Sequence, residues 1–341
     1  MSTRVWRFVK CSTSAKTDSW AQDTVALALP LKADQLLIET VLVSCDPYLQ
    51  IQQSRGATWQ DPQALGVVQL SFAIGRVLES TCAEIPPGQL VRTYTGWCER
   101  AVVDKADAEL LPQTPGIAVE HFLGALGMVG RSAWHGVDKV FAPIAPGETA
   151  LVTGAAGAVG SLVVQILKKM GAFVVGTAGS DDKVALLKSL GCDVALNYRS
   201  TPIDELHTDA LRAAFGGRGI DLFFDNVGGA VFDAAIQLIN VNARIAICGQ
   251  VSTYDNLDTP VRVPAFLHRL IYTRATIQGI LQRDATPQQR ADHIAKFSAW
   301  LADGSLQAPF TVWRGFENIP AAQAAMMTGG NIGKMLVRLC E

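Results

Sequence analysis

Residues 150–167 read ALVTGAAGAVGSLVVQIL, and this stretch decides the fold. Ala150 to Thr153 is a short apolar run of strand type, and the residues after it have the spacing of a helix reaching Met170. Gly154, Gly157 and Gly160 stand at the junction. Glycines at a strand end and helix start let the backbone approach a pyrophosphate whose charge sits over the helix N-terminus. The spacing is G-x-x-G-x-x-G rather than G-x-G-x-x-G, so the triplet by itself also fits a purely structural tight turn. Its setting favours the dinucleotide reading: a buried strand before it, a helix after it, and a second strand arriving at Phe173 to Thr177. The stretch from Thr149 to Leu167 carries no charge, yet the three glycines, Thr153, Ser161 and Gln165 interrupt it, which argues against a membrane span.

Working outward, the texture after Val119 is α/β. Helical spacing runs through Phe122, Leu126 and Val129, a helix is expected from Asp181 to Leu190, and Val194 to Asn197, Asp221 to Asp225 and Arg244 to Cys248 are further strands. The chain before about residue 115 reads as all-β, with strands at Val5 to Val9, Gln35 to Val43, Ile74 to Glu79, Leu90 to Tyr94 and Glu99 to Val103. A last β-like run, Lys334 to Leu339, can return to complete that first domain.

A chain of 341 residues predicts roughly two domains, and 49% hydrophobic against 18% charged residues predicts a compact globule. Twenty-nine basic and thirty-one acidic residues give a net charge of −2, so bulk electrostatics ask for neither nucleic acid nor an anionic membrane. A small-molecule partner is expected. The opening MSTRVWRFVK has charges where a signal peptide needs its apolar segment, and the seven cysteines form no CxxC pair. Reduced thiols and a cytoplasmic location are the expectation.

The second strand bears on the cofactor. An NAD site usually carries Asp or Glu at its end for the ribose 2′-hydroxyl, whereas here stand Gly176, Thr177, Ala178 and Gly179. Ser180 and Lys183 come next, and Tyr198 with Arg199 follow the third strand, donors suited to a 2′-phosphate. NADP is favoured. A plainer reading of Ser180 to Lys183, a helix N-cap with a solvated lysine, stays open beside it. No zinc ligand set is legible: there is no Gly-His-Glu, and His121, His135, His207, His268 and His293 are scattered without cysteines at ligand spacing. Nor is there a G-x-S-x-G elbow for a serine hydrolase.

Eight segments in order carry a family likeness: Asp46 to Tyr48, Gly127 to Trp134, Ala155 to Ser161, Gly179 to Lys183, Asn197 to Arg199, Phe224 to Gly229, Cys248 to Tyr254 and Gly330 to Lys334. Over nearly its full length the chain resembles the zinc-independent medium-chain reductases of the prostaglandin reductase, leukotriene dehydrogenase and plant alkenal double-bond reductase group. The resemblance implies a GroES-like, mostly β catalytic domain (1–125 with 307–341) interrupted by a doubly wound Rossmann domain (126–306), with NADPH in the cleft, and a homodimer. It implies that Gly157, Ala158, Val159 and Gly160 cradle the pyrophosphate and that Ser180, Lys183 and Tyr198 hold the 2′-phosphate. Asn226, Cys248, Gly249, Gln250, Val251, Ser252, Ile280, Leu281, Gln282 and Asn331 would contact the remainder of the cofactor. Tyr254 would lie by the nicotinamide ribose as a catalytic, proton-network residue, with Tyr48 and Tyr272 facing the substrate; packing of a bonded hydroxyl is the plainer role for Tyr254 and Tyr272.

The chain departs from the group at Leu49-Gln50, where Met-Arg is usual, at Trp134, where tyrosine is common, and in Ile277 to Arg283, which lacks the usual aromatic residues. These changes bear on the substrate pocket. The activity implied is reduction of an α,β-unsaturated carbonyl: hydride to the β-carbon, then protonation of the α-carbon, through alignment and hydrogen bonding to the developing oxyanion. A quinone reductase, or a non-catalytic NADPH-binding effector on the same fold, stays open as an alternative.

Overall fold

The structure is a computed structural model that describes residues 1–11, 17–53, 61–204, 208–256 and 266–340. The chain divides into two units, one of Met1–Leu123, the segment beginning at Tyr254, and Phe310–Glu341, the other of Gly124–Thr253 and the chain leading to Pro309.

In the first unit, β1 (Ser2–Phe8) and β2 (Trp20–Ala26) pair antiparallel as a two-stranded sheet. Apolar residues dominate β3 (Gln35–Ser44), which is buried at nearly every position. It is flanked by β4 (Ala73–Ser80), β6 (Arg100–Asp104) and the returning C-terminal strand, while β5 (Leu90–Thr93) pairs β4 and the short β7 (Glu109–Leu110) extends from β5. A five-residue helix, α1 (Tyr48–Gln52), leaves the end of β3.

The second unit begins with α2 (Met128–Gly136) and then alternates strand and helix. Its elements are β8 (Thr149–Val152), α3 (Ala158–Lys169), β9 (Phe173–Ala178), α4 (Asp181–Ser189), β10 (Val194–Asn197), α5 (Asp209–Ala214), β11 (Ile220–Asp225), α6 (Gly229–Ile236), β12 (Ile239–Ile247), α7 (Leu267–Thr273), β13 (Thr276–Gly279) and α8 (Pro287–Ala302). The six strands are parallel in the order β10-β9-β8-β11-β12-β13, so the chain reverses direction across the sheet between β8 and β11. This is the doubly wound Rossmann order, whose ligands lie at the carboxyl ends of the strands beside that reversal. All of β8 is buried because helices cover both faces of a parallel sheet. In α3, Leu162, Val163, Ile166 and Leu167 face the core, and Lys168 and Lys169 sit in the last turn where the helix dipole favours cations.

The chain then returns to the first unit as β14 (Phe310–Arg314), α9 (Ile319–Met327) and β15 (Lys334–Arg338). β15 pairs antiparallel with β3, so the last strand does complete the first sheet. A core of Phe8, Trp20, Val43, Leu49, Trp97, Met335 and Val337 joins the two ends of the chain in this unit. The stretch before about residue 115, expected to be all-β, also holds the helix α1, and with α9 the unit is mostly β, as the resemblance implied.

Candidate active site

The residues expected to meet a dinucleotide gather along one edge of the parallel sheet. Gly157 to Gly160 follow β8, Ser180 and Lys183 follow β9, Tyr198 follows β10, Asn226 follows β11, Cys248 to Ser252 follow β12, and Ile280 to Gln282 follow β13. Every one is at a carboxyl end, the edge where such sheets bind ligands. At the reversal point, the Thr153 hydroxyl donates to Asp225 Oδ1 at 2.5 Å, and Asn226 Nδ2 donates to the Thr153 carbonyl at 2.8 Å. The Asp225 carboxylate also accepts the N–H groups of Val227 and Gly228. Burial pushes its pKa up, and these hydrogen bonds oppose that shift. Thr153 and Asp225 thus shape the loop that presents Asn226, roles not read from the sequence although both stand at strand ends.

Helix α3 opens on Gly157 with no side-chain cap, leaving its first N–H groups toward the glycine turn. A Cβ on Gly160 would lie 2.4 Å from the Gly154 carbonyl oxygen, so the turn and helix approach as closely as backbone allows. The 226–229 and 248–252 loops are tied by Ser252 Oγ donating to the Val227 carbonyl at 2.6 Å. Cys248 is half-buried as a residue, yet burial of its thiol, followed by the charge of Asp225, pushes its pKa up to about 12, so it is no nucleophile at neutral pH. Gln282 Oε1 accepts from Arg131 at 3.1 Å.

β9 ends without an acid: Thr177 and Ala178 are buried. Ser180 accepts the N–H of Lys183 as the N-cap of α4, so the capping part of the plainer reading holds, but Lys183 is half-buried rather than solvated. The same segment also gathers cations. Tyr198 Oη lies 2.7 Å, and Arg199 Nε 3.4 Å, from where a Cβ of Gly179 would be. Burial and then the nearby Arg199 lower the pKa of Lys183. Asp181 is engaged by Asn197 Nδ2 at 2.8 Å. A lysine and an arginine close together beside a glycine suit a phosphate dianion. This pairing, the uncapped helix and the glycine cradle fit NADPH.

In the first unit, Asp46-Pro47-Tyr48 is anchored by a buried ion pair, Lys334 Nζ to Asp46 Oδ1 at 2.7 Å, and Lys334 also donates to the Cys45 carbonyl. Gln323 donates to the Asp46 carbonyl at 2.9 Å. Burial raises the Tyr48 pKa well above its ordinary value, with further contributions from Asp46 and the neighbouring Tyr94, so Tyr48 is a neutral phenol. Gln52 Nε2 donates to Tyr94 Oη at 2.9 Å, and the Tyr94 ring packs edge-on against Phe72 with centroids 4.9 Å apart. Tyr94 and Gln52 went unread in the sequence. Asn331 is in this unit too, donating to the Gly333 carbonyl at 2.6 Å. Tyr254 is half-buried in a 3-10 turn, Val251–Asn256.

Tyr272 departs from expectation. It lies in the last turn of α7, which leads into the start of β13, and it is 72% exposed. That is the opposite end of the strand from the cofactor loops, so the structure does not bring it to the site. Trp134 is buried between α2 and α8 against Phe297 and Trp300. Among the described residues no group of three or more His, Cys, Asp and Glu could hold a metal ion, and no helix is long and apolar enough to cross a membrane. His207 lies outside the described residues.

A family model described as zinc-binding dehydrogenase matches residues 158–299, and one described as the N-terminal domain of oxidoreductase matches residues 4–111. The chain is 35% identical over 311 residues, 91% of each chain, to prostaglandin reductase 1 of Sus scrofa. It belongs to the medium-chain dehydrogenase/reductase family. Within that family of oxidoreductases its place is the prostaglandin reductase and alkenal reductase group, for it is also 33% identical to the NADP(+)-dependent 2-alkenal reductase of Nicotiana tabacum over 92% of this chain and 90% of that one. Among solved structures, CurA of Vibrio vulnificus in complex with NADPH is 29% identical, with a TM-score of 0.90 and 99% of both chains covered.

Proposed function

We propose that this medium-chain reductase uses NADPH to reduce the carbon-carbon double bond of an α,β-unsaturated carbonyl compound, an enone or enal, without zinc. The observation that carries the reading is the acid-free end of β9 with Lys183, Tyr198 and Arg199 gathered beside it, in a chain similar along most of its length to a 2-alkenal reductase. When bound, NADPH supplies the hydride that adds to the β-carbon.

The chain's own residues do the rest. The uncapped start of α3, at Ala158, Val159 and Gly160, binds the pyrophosphate through backbone N–H groups and the helix dipole. Lys183, Arg199, Tyr198 and Ser180 hold the 2′-phosphate and so select against NADH. Asn226, the Cys248 to Ser252 loop, Ile280 to Gln282 and Asn331 hold the remainder of the cofactor. The Tyr254 hydroxyl orients the nicotinamide ribose and takes part in moving the proton that reaches the α-carbon. Tyr48, neutral and anchored through Asp46 and Lys334, stands on the substrate side.

The test is cofactor oxidation against a panel of enones, enals and quinones, with the products weighed by mass spectrometry. A product two mass units heavier with its carbonyl intact supports the reading. Quinone turnover without alkene saturation favours a quinone reductase, and tight NADPH binding without oxidation favours an effector.

A further inference from the structure

We propose that Tyr94 is a catalytic residue that donates its phenolic hydrogen bond to the substrate's carbonyl oxygen, with Gln52 positioning it. The inference rests on the enone-reduction reading.

Three groups converge on Tyr94 within the first unit. Gln52 Nε2 donates to its oxygen at 2.9 Å. Tyr48 is a buried neighbour whose pKa is raised by burial first, then by Asp46 and by Tyr94 itself, so it stands beside Tyr94 as a neutral phenol. A hydroxyl has two acceptor sites and one proton, so with Gln52 donating to its oxygen Tyr94 still has its own proton to offer. Phe72 fixes the ring from its edge, with planes 64° apart. Tyr94 is half-buried, so a ligand oxygen can reach it. Gln52 is 3% exposed, and among the described residues its buried Oε1 has no hydrogen-bond partner, so it is a second polar group at this place.

This is the chemistry an enone needs. As hydride adds to the β-carbon, charge develops on the carbonyl oxygen, and a neutral donor already held in place stabilises that charge without reorganising. The incoming hydrogen bond from Gln52 polarises the Tyr94 hydroxyl and strengthens the one it gives. Proton transfer to the α-carbon is a separate event, and Tyr94 keeps its proton throughout.

The experiment compares Tyr94→Phe, Gln52→Glu and Gln52→Leu with the unmodified full-length protein. It uses 2-cyclohexenone and trans-2-nonenal as substrates, with melting curves as the folding check. Tyr94→Phe should lower kcat about 100-fold with melting nearly unchanged. The carboxylate introduced by Gln52→Glu would accept the hydrogen bond that Tyr94 owes the substrate and should lower kcat comparably, whereas Gln52→Leu leaves that hydroxyl free to donate and should cost under about tenfold. A merely structural role for Gln52 predicts the reverse order or equal losses, and either result would overturn its positioning role. A Tyr94→Phe protein with unmodified kcat would overturn the Tyr94 assignment while leaving enone reduction standing.

A second readout separates the two ideas: 4-nitrophenolate, an oxyanion standing in for the enolate, is titrated by absorbance into protein saturated with NADP+. If the unmodified protein reduces no enone, the functional reading fails. A weakening of 4-nitrophenolate binding by about tenfold in Tyr94→Phe then still supports Tyr94 as the oxygen-binding donor, and equal binding overturns it.

Discussion

Gly157 and Gly160 share one turn at the head of α3, yet a methyl added to each should fail differently, one through folding and the other through ligand binding. A methyl placed on Gly160 meets backbone at three atoms: the Gly154 oxygen at 2.4 Å, Ala155 Cα at 2.7 Å and the Gly154 carbonyl carbon at 3.0 Å. The first is about 1 Å short of ordinary contact, and none of the three is the end of a flexible side chain. Gly160→Ala must therefore part the turn from the helix, at an overpacking cost of about 1–3 kcal/mol. At about 2–4 °C per kcal/mol for a domain of this size, melting should fall by about 5 °C. A methyl on Gly157 meets only the Gly154 oxygen, at 3.1 Å, which a shift of a few tenths of an ångström relieves. Gly157→Ala should melt almost as the unmodified protein does, yet its methyl stands where a pyrophosphate would approach the uncapped helix. NADPH should bind about tenfold more weakly, about 1.4 kcal/mol. Scanning calorimetry and NADPH fluorescence titration read the two effects separately. A folded Gly157→Ala protein with undiminished NADPH affinity would refute the placement of the pyrophosphate, and a Gly160→Ala protein of full stability would refute the packing argument.

Lys183→Ala should raise the KM for NADPH about tenfold and leave that for NADH nearly unchanged, and equal use of both cofactors by the unmodified protein would contradict 2′-phosphate recognition. Tyr254→Phe keeps the ring's packing and removes one hydroxyl, so turnover should fall about tenfold with nearly unchanged melting; full turnover would remove Tyr254 from the mechanism. His135 is buried and its pKa is lowered, first by burial and then by Lys139. The unfolded chain therefore takes up more protons than the folded one as pH falls below the ordinary histidine value, and stability should drop on acidification through that range. His135→Gln should flatten this slope, as melting temperature followed from about pH 7.5 to about 5.5 would reveal; an unaltered slope would assign the loss elsewhere.

Much of the Rossmann unit was legible because its strands are buried on both faces and its helices are amphipathic. β8, β9 and β10 fall within a residue of the expected runs, and β12 starts earlier, at Ile239, because Asn240 and Asn242 interrupt the apolar run at its start, which precedes a register shift opposite β11. β2 was invisible for the opposite reason: five of its seven residues are exposed, so no apolar alternation marks it. β13 is four exposed or half-exposed residues at the sheet edge. The start of α8 could have been found, since Thr286 and Gln289 form a capping box. The glycine turn after β8 and the acid-free end of β9 were readable because glycine spacing and a missing acid are local signals. The Gln52–Tyr94 hydrogen bond gave no such signal, for it joins residues 42 apart in sequence, and a motif match at Tyr272 carries no information on which end of a strand its helix leads to.

The central claim, alkene reduction by NADPH at a metal-free site, is tested most directly by one measurement: mass and NMR analysis of the product formed from trans-2-nonenal and NADPH in the presence of excess chelator. The account predicts nonanal, its aldehyde intact, formed in step with NADPH loss and at the same rate with or without the chelator. Formation of the allylic alcohol, or loss of all turnover together with a tightly held zinc ion, would contradict it.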